Sequence, residues 1–183
     1  MTFGVDTTFL IQLEVRSAPG HAAARAWLRD VMERGSELAM APQVLTEFIH
    51  VATDPARFER PLSMPAAAER AQAWWTAREV RQVYTDDNAV SLFFNWMDKH
   101  RLGRKRLLDT MLAATYFANG LTDVVTSNAR DYSIFGVFEL HLPGGRLKRL
   151  TEKLVQRSQV LAFTAEYAEV TEDAPLRPRR PLR

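Results

Sequence analysis

KRLLDTMLAATYFANGLTDVVTS, residues 105–127, decides the fold. Its first part reads as a very apolar helix carrying Asp109 near the start, stopped by Asn119-Gly120. Its last part, Asp123 to Ser127, reads as an apolar strand. The same alternation of helix and strand extends in both directions from this stretch.

Towards the N-terminus, Phe3 to Asp6 reads as a short buried strand ending on an acid, followed by a helix from about Thr8 to Arg16 that Pro19 and Gly20 break. In HAAARAWLRDVMERG, residues Ala23, Trp27 and Val31 stand four apart, which predicts an amphipathic helix stopped by Gly35. Glu37 to Ala41 is a short strand. Pro42 opens a helix through QVLTEFIHVATD, and Pro55 follows its end. After a loop at 56–64, Pro65 starts the helix AAAERAQAWWTAR. Trp74 and Trp75 cannot both face one core, so one is expected inside and the other either at a dimer or antitoxin interface or merely half-exposed. Val80 to Tyr84 alternates like a strand. Asp86 or Asp87 caps the helix NAVSLFFNWMDKHRL, which Gly103 ends. On the C-terminal side, NARDYSIF reads as a turn and Val137 to Leu142 as the last strand, before Pro143-Gly144-Gly145.

Strands that alternate with helices predict an α/β fold: three layers, α/β/α, around a mainly parallel sheet. In such sheets sites form at the carboxyl ends of the strands, where the strand order reverses. The expected organisation is a domain over 1–145 and an extension over 146–183. In the extension, Leu147, Leu150, Leu154 and Leu161 have helical spacings and the end is rich in Pro and Arg.

Composition sets limits. With 46% hydrophobic residues in 183, the chain can fill a core. It has no cysteine, which excludes disulfides, thiolate zinc sites and cysteine nucleophiles and fits a reducing compartment. MTFGVDTTFLIQLEV lacks a basic leader region, and no apolar run approaches the roughly 20 residues of a membrane span, so a soluble cytoplasmic protein is expected. The net charge of +2 divides into −2 over residues 1–145 and +4 over 146–183. The basic end alone is weak evidence for nucleic-acid binding.

Four acids stand at informative places. Asp6 ends the first strand, Glu47 lies inside an apolar helix, Asp109 lies near the start of another, and Asp131 follows DVVTS. Taken singly, each has an ordinary explanation: Asp6 and Asp131 as caps, Glu47 and Asp109 as solvated groups. Taken together, acids in apolar settings that converge on strand ends would repel one another without a cation. Clustered oxygen ligands without cysteine favour a hard ion, Mg²⁺ or Mn²⁺.

Residues 3–142 resemble a PIN domain, and specifically the toxin half of a VapBC-type toxin–antitoxin pair. The resemblance rests on GVDTTFLI (4–11), LTEFIHVATDPARF (45–58), LLDTMLAATYFANGLTDVVTSN (107–128) and TSNARDYSIFGV (126–137), in that order. It implies an endoribonuclease in which Asp6 and Asp109 are the principal metal ligands and Glu47 joins them or orients the nucleophile. Metal-activated water would leave a 5′-phosphate and a 3′-hydroxyl. Thr8 would lie near Asp6 and the scissile phosphate. Asn128 and Asp131 occupy the turn where the family often carries a further acid or Asn; here only Asp131 offers charge, so Asp131 would be the fourth catalytic and metal-binding acid, Asn128 would contact substrate, and one or two ions remain open. A VapB-like antitoxin and a homodimer are the implied partners. In the basic run before Asp109, Arg104 and Lys105 are the expected phosphate contacts, with a solvated helix end as the alternative. Arginines 177, 179, 180 and 183 are expected to reach the acidic pocket and restrain it, with RNA recruitment as the rival and antitoxin-like sequence over 146–183 as a further alternative. The competing functions are a catalytically silent RNA-binding relative and, less well supported, an Asp-based phosphotransfer or phosphohydrolase domain. The latter needs a strand lysine that the sequence does not offer.

Overall fold

A computed structural model describes residues 1–144. The elements run β1 (Thr2–Val5), α1 (Thr7–Glu14), α2 (His21–Glu33), β2 (Glu37–Met40), α3 (Pro42–Ala52), α4 (Met64–Trp75), β3 (Val80–Gln82), α5 (Asp87–Lys99), a 3-10 turn (Arg104–Arg106), α6 (Leu107–Ala118), β4 (Asp123–Val125), α7 (Ala129–Ser133) and β5 (Glu139–His141). The sheet is entirely parallel, in the order β3-β2-β1-β4-β5. One group of helices packs as α1 on α2 and α3, and α3 on α4. The other packs as α5 on α6, and α6 on α7, giving the three-layer α/β/α arrangement.

The chain moves outward from β1 to β2 and β3, then crosses to β4 on the other side of β1. The order therefore reverses between β1 and β4, which places a crevice beyond their carboxyl ends. Backbone pairing continues one residue past the strands there: the Asp6 amide donates to the Val125 carbonyl at 3.0 Å, and that of Thr126 to His141 at 3.0 Å.

The central strands are apolar because both faces are covered. Val5, Leu38, Met40, Val124 and Val125 are fully buried. Gly4 permits the close approach of α6: a Cβ there would lie 2.9 Å from Tyr116 Cδ2. The Tyr116 hydroxyl donates to the Val5 carbonyl at 2.5 Å, so α6 is fixed directly under the end of β1.

Several sequence expectations shift. Asp6 lies just past β1 at the N-cap of α1, yet its side chain makes no capping bond. NARDYSIF is not a bare turn but contains α7. The last strand is shorter than 137–142, at Glu139–His141. α5 ends at Lys99, four residues before Gly103: Arg101 takes the left-handed conformation (φ 50°), with Leu102 N–H bonded to the Met97 carbonyl. Neither Trp74 nor Trp75 enters the core. Both are half-buried; Trp74 Nε1 donates to Glu14 Oε1 at 2.8 Å, and Trp75 meets Tyr84 edge-on. Of the two acids expected at the start of α5, Asp86 is the cap, accepting from the Ala89 amide at 2.8 Å, so that expectation holds. The extension 146–183, with its expected helix and its arginines, lies outside the described residues.

Candidate functional site

Asp6 is nearly inaccessible, at 7% exposure, and sits at the strand-order reversal. Burying a carboxylate is costly unless hydrogen bonds compensate. Here three hydroxyls do so: Thr8 and Thr126 donate to Oδ2 at 2.5 and 2.7 Å, and Tyr132 donates to Oδ1 at 3.0 Å. Burial, with the charge of Asp6 second, holds the Tyr132 hydroxyl well above its ordinary pKa, so it remains a donor. Thr8 also accepts from the Ser127 amide at 3.1 Å, tying α1 to the end of β4.

Glu47 reaches the same place from α3. Pro42 at the start of α3 fixes the helix entry directly after β2. Val44, Phe48 and Val51 face the core, while Glu47, between them, is half-buried and accepts from Thr7 Oγ1 at 2.7 Å. Asp109 arrives from the first turn of α6, also half-buried. Its carboxyl is pushed up to about 6, first by burial and then by the negative charge of Asp131. Arg106 opposes that shift, while Asp6 and Glu47 add to it. Asp131 lies in the first turn of α7.

Asp6, Glu47, Asp109 and Asp131 line one cleft of about 340 Å³, together with Thr7, Thr8 and Arg57. Among the described residues lining it there is no lysine. A second cavity of about 700 Å³ adjoins it; Arg57 and Phe58 line both, and Arg16, Arg60 and Arg70 line the second. Arg70 is held by Glu14, at 2.6 Å from its carbonyl and 3.1 Å from its carboxylate.

The other expected residues are placed differently. Arg104 and Lys105 are exposed on the 3-10 turn and are not among the cleft lining. Asn128 is exposed; its side-chain amide bonds the Asp131 carboxylate and its backbone N–H donates to Thr126 Oγ1 at 2.9 Å. The basic residue that does meet the acids is Arg106. One guanidinium nitrogen bonds the Asp131 carboxylate and lies 3.6 Å from Asp109 Oδ2, while the other bonds the Asp131 carbonyl. Sequence reasoning gave Tyr132 no role and counted Arg106 only as part of the basic run, as a phosphate contact. A tyrosine directly after Asp131 was the available signal for the first, and nothing in the RKR run distinguishes the second.

The oxygen-only donor set of Asp6, Glu47 and Asp109 fits a hard divalent ion. The raised Asp109 carboxyl fits it too, since a cation would relieve the repulsion that raises it. Among the described residues, the group of acids and histidines whose ligating atoms all lie within 4.8 Å of one another is Asp123, Glu139 and His141, not the cleft acids. There, however, His141 Nε2 is 2.9 Å from Asp123 Oδ1 and the ring packs edge-on against Phe3, as a buried Asp–His pair does.

The PIN domain family pattern matches residues 4–135. The chain belongs to the PIN-domain family. Over 134 residues this PIN domain is 32% identical to a protein named Ribonuclease VapC24 from Mycobacterium tuberculosis, covering 72% of this chain and 90% of that ribonuclease. Among solved structures it is similar to FitAcB from Neisseria gonorrhoeae (TM-score 0.55, 14% identity, 80% of this chain and 100% of that one). It is also similar to VapBC-1 from nontypeable Haemophilus influenzae (TM-score 0.54, 15% identity, 79% and 100%). At these identities the two structures establish the fold of the PIN domain. Its carboxyl-end cleft lies within the matched residues.

Proposed function

We propose that this chain is a toxin-type endoribonuclease that cleaves RNA phosphodiester bonds with the help of Mg²⁺ or Mn²⁺. The observation that carries this reading is the convergence of Asp6, Glu47 and Asp109, from three separate elements, on one cleft. The 32% identity to a named ribonuclease supports it.

Asp6 and Asp109 hold the ion, with Glu47 as third ligand or as the group that orients water. When bound, the ion supplies Lewis acidity to a water and neutralises charge on the phosphodiester. The three hydroxyls on Asp6 fix its carboxylate and leave about one lone-pair site, on Oδ1, for coordination. Thr7 likewise fixes Glu47. Thr8, at the cleft wall, is placed to donate to a phosphate oxygen when it turns from Asp6. Asp131 forms the rim. RNA phosphates flanking the reacting one lie in the arginine-lined cavity, where Arg16, Arg57 and Arg60 meet them and Phe58 offers a face for a base. Arg104, Lys105 and Asn128 lie outside the cleft lining and serve more distant phosphates.

The partners under this reading are RNA, a VapB-like antitoxin and a second copy of the chain. Phe94 and Leu108, at 65% and 70% exposure on the paired helices α5 and α6, are apolar surface available to a protein partner. No helix of the described residues is long and apolar enough to cross a membrane. The test is cleavage of total RNA with Mn²⁺ or with EDTA, followed by sequencing of the ends. Metal-dependent cuts leaving 5′-phosphates support the reading, and metal-independent cuts overturn it.

A further inference from the structure

We infer that Arg106 takes the role of a second metal ion: the centre holds one divalent cation, and the Arg106 guanidinium is its fixed positive neighbour. This rests on the nuclease reading above. It decides between one ion and two, which four acids in one cleft leave open.

Four carboxylates line the cleft, and one divalent ion neutralises only half of their charge. Two-metal phosphodiesterase centres meet this with a second ion about 3.5–4 Å from the first, bridged by shared carboxylates. In this chain the carboxylates that a second ion would need, Asp131 and Asp109, already face a cation. Arg106 bonds the Asp131 carboxylate and lies 3.6 Å from Asp109 Oδ2. Its second nitrogen bonds the Asp131 carbonyl, and Asn128 bonds the same carboxylate, so Asp131 is occupied on both sides.

The fork is also held in place. The Arg106 side chain is only 22% exposed, and it sits at the N-cap of α6, three residues before Asp109 and on the turn that carries it. A guanidinium stays charged at any working pH and binds two acceptors in a fixed plane, which a hydrated lysine does not. Arg104 and Lys105, two and one residues earlier, are exposed, and among the described residues the ion pairs to Asp109 and Asp131 come from Arg106. The effect therefore belongs to Arg106 and not to the basic run. The consequence is a site in which Asp6, Glu47 and Asp109 bind one ion, and Asp131 serves as the holder of Arg106. The guanidinium contributes positive charge near the reacting phosphate without an entropic or concentration requirement for a second ion.

The test counts bound ions. The full-length chain is titrated with Mn²⁺ by calorimetry, with electron paramagnetic resonance to distinguish isolated from coupled ions. Arg106→Gln and Arg106→Met are compared with the unchanged chain, each after a melting curve. The expected result is one Mn²⁺ per chain in the wild type. In at least one folded variant it is two, with the spectrum of a coupled pair. Two ions in the wild type, or one in both folded variants, overturn the inference and leave the nuclease reading intact. Should neither variant fold, the wild-type count alone decides. No Mn²⁺ bound to the wild type overturns the nuclease reading itself.

Discussion

Tyr132 on α7 donates its hydroxyl to Asp6 Oδ1 at 3.0 Å, across 126 residues of chain. The bond joins Tyr132, on the short helix after β4, to the acid after β1, both buried, and makes the site depend on a segment whose own acid, Asp131, pairs with Arg106. Tyr132→Phe removes this one donor and keeps the ring packed against Phe138. Loss of a hydrogen bond to a buried charged group costs about 1–3 kcal/mol, and outer partners of metal ligands affect metal affinity by about 10- to 100-fold. The expected result is a chain that remains folded, with a lower urea midpoint and weaker Mn²⁺ binding. Unchanged affinity would show that Thr8 and Thr126 suffice to orient Asp6.

Asp109 gives a pH dependence of definite sign. Its carboxyl is raised from 3.8 to about 6 in the fold. Its contribution to folding is therefore fully present below its ordinary value and lost as pH rises through about 6, because the charged form is the one the fold disfavours. In EDTA, stability relative to the Asp109→Asn variant should fall between about pH 4 and pH 6, where the variant has no charge to develop. Mn²⁺ must bind the deprotonated carboxylate, so its affinity should rise with pH up to about 6 and then level off, with a proton released on binding below that. Thermal melts and calorimetry across this range check both.

Gly4 is where α6 meets β1. A methyl group there would stand 2.9 Å from the Tyr116 ring, whose hydroxyl is anchored on Val5. Gly4→Ala should destabilise the domain by about 1–3 kcal/mol as an overpacked core position does. Because Val5 precedes Asp6, cleavage should fall as well, by more than the unfolded fraction explains. A melting curve matching that of the unchanged chain would place the tightness elsewhere.

The arginine-lined cavity makes a separate prediction. Arg16→Glu and Arg60→Glu lie outside the acid cleft, so KM for RNA should rise and kcat should hold. Each phosphate that is no longer neutralised by an arginine should reduce the slope of log affinity against log salt by roughly 1. Binding of an RNA oligonucleotide at several salt concentrations measures this. Unaltered slopes in both variants would remove the cavity from the RNA path and leave it to a protein partner.

Most of the fold is legible in the sequence because its punctuation is local. Pro42 and Asn119-Gly120 bound their helices where expected, and Asp86 caps α5 as its position suggested. What escaped is what local pattern does not encode. α7 has five residues and is fixed by Tyr132 reaching Asp6, a pairing no window of sequence contains. Gly103 was the expected end of α5, but Arg101 bears the left-handed turn because the neighbouring amides find helix carbonyls there. In the site, Asp6, Glu47 and Asp109 could be picked out as acids in apolar settings. Arg106 could not be separated from Arg104 and Lys105, since only the fold brings Asp131, 25 residues later, onto its guanidinium.

If Asp6, Glu47 and Asp109 form a divalent-metal centre that cleaves RNA, the most direct measurement is cleavage of one defined RNA by the wild type and by Asp109→Asn. Both are assayed at matched folded concentration, with Mn²⁺ and with EDTA. A neutral amide is a poor ligand for a hard dication. The expected result is cutting by the wild type with Mn²⁺ alone, ends bearing 5′-phosphates, and at least a loss of about a hundredfold in the variant, on the order of what removing a principal electrostatic contributor costs. Cleavage by Asp109→Asn at the wild-type rate, or by either protein in EDTA, would contradict the metal-centre reading.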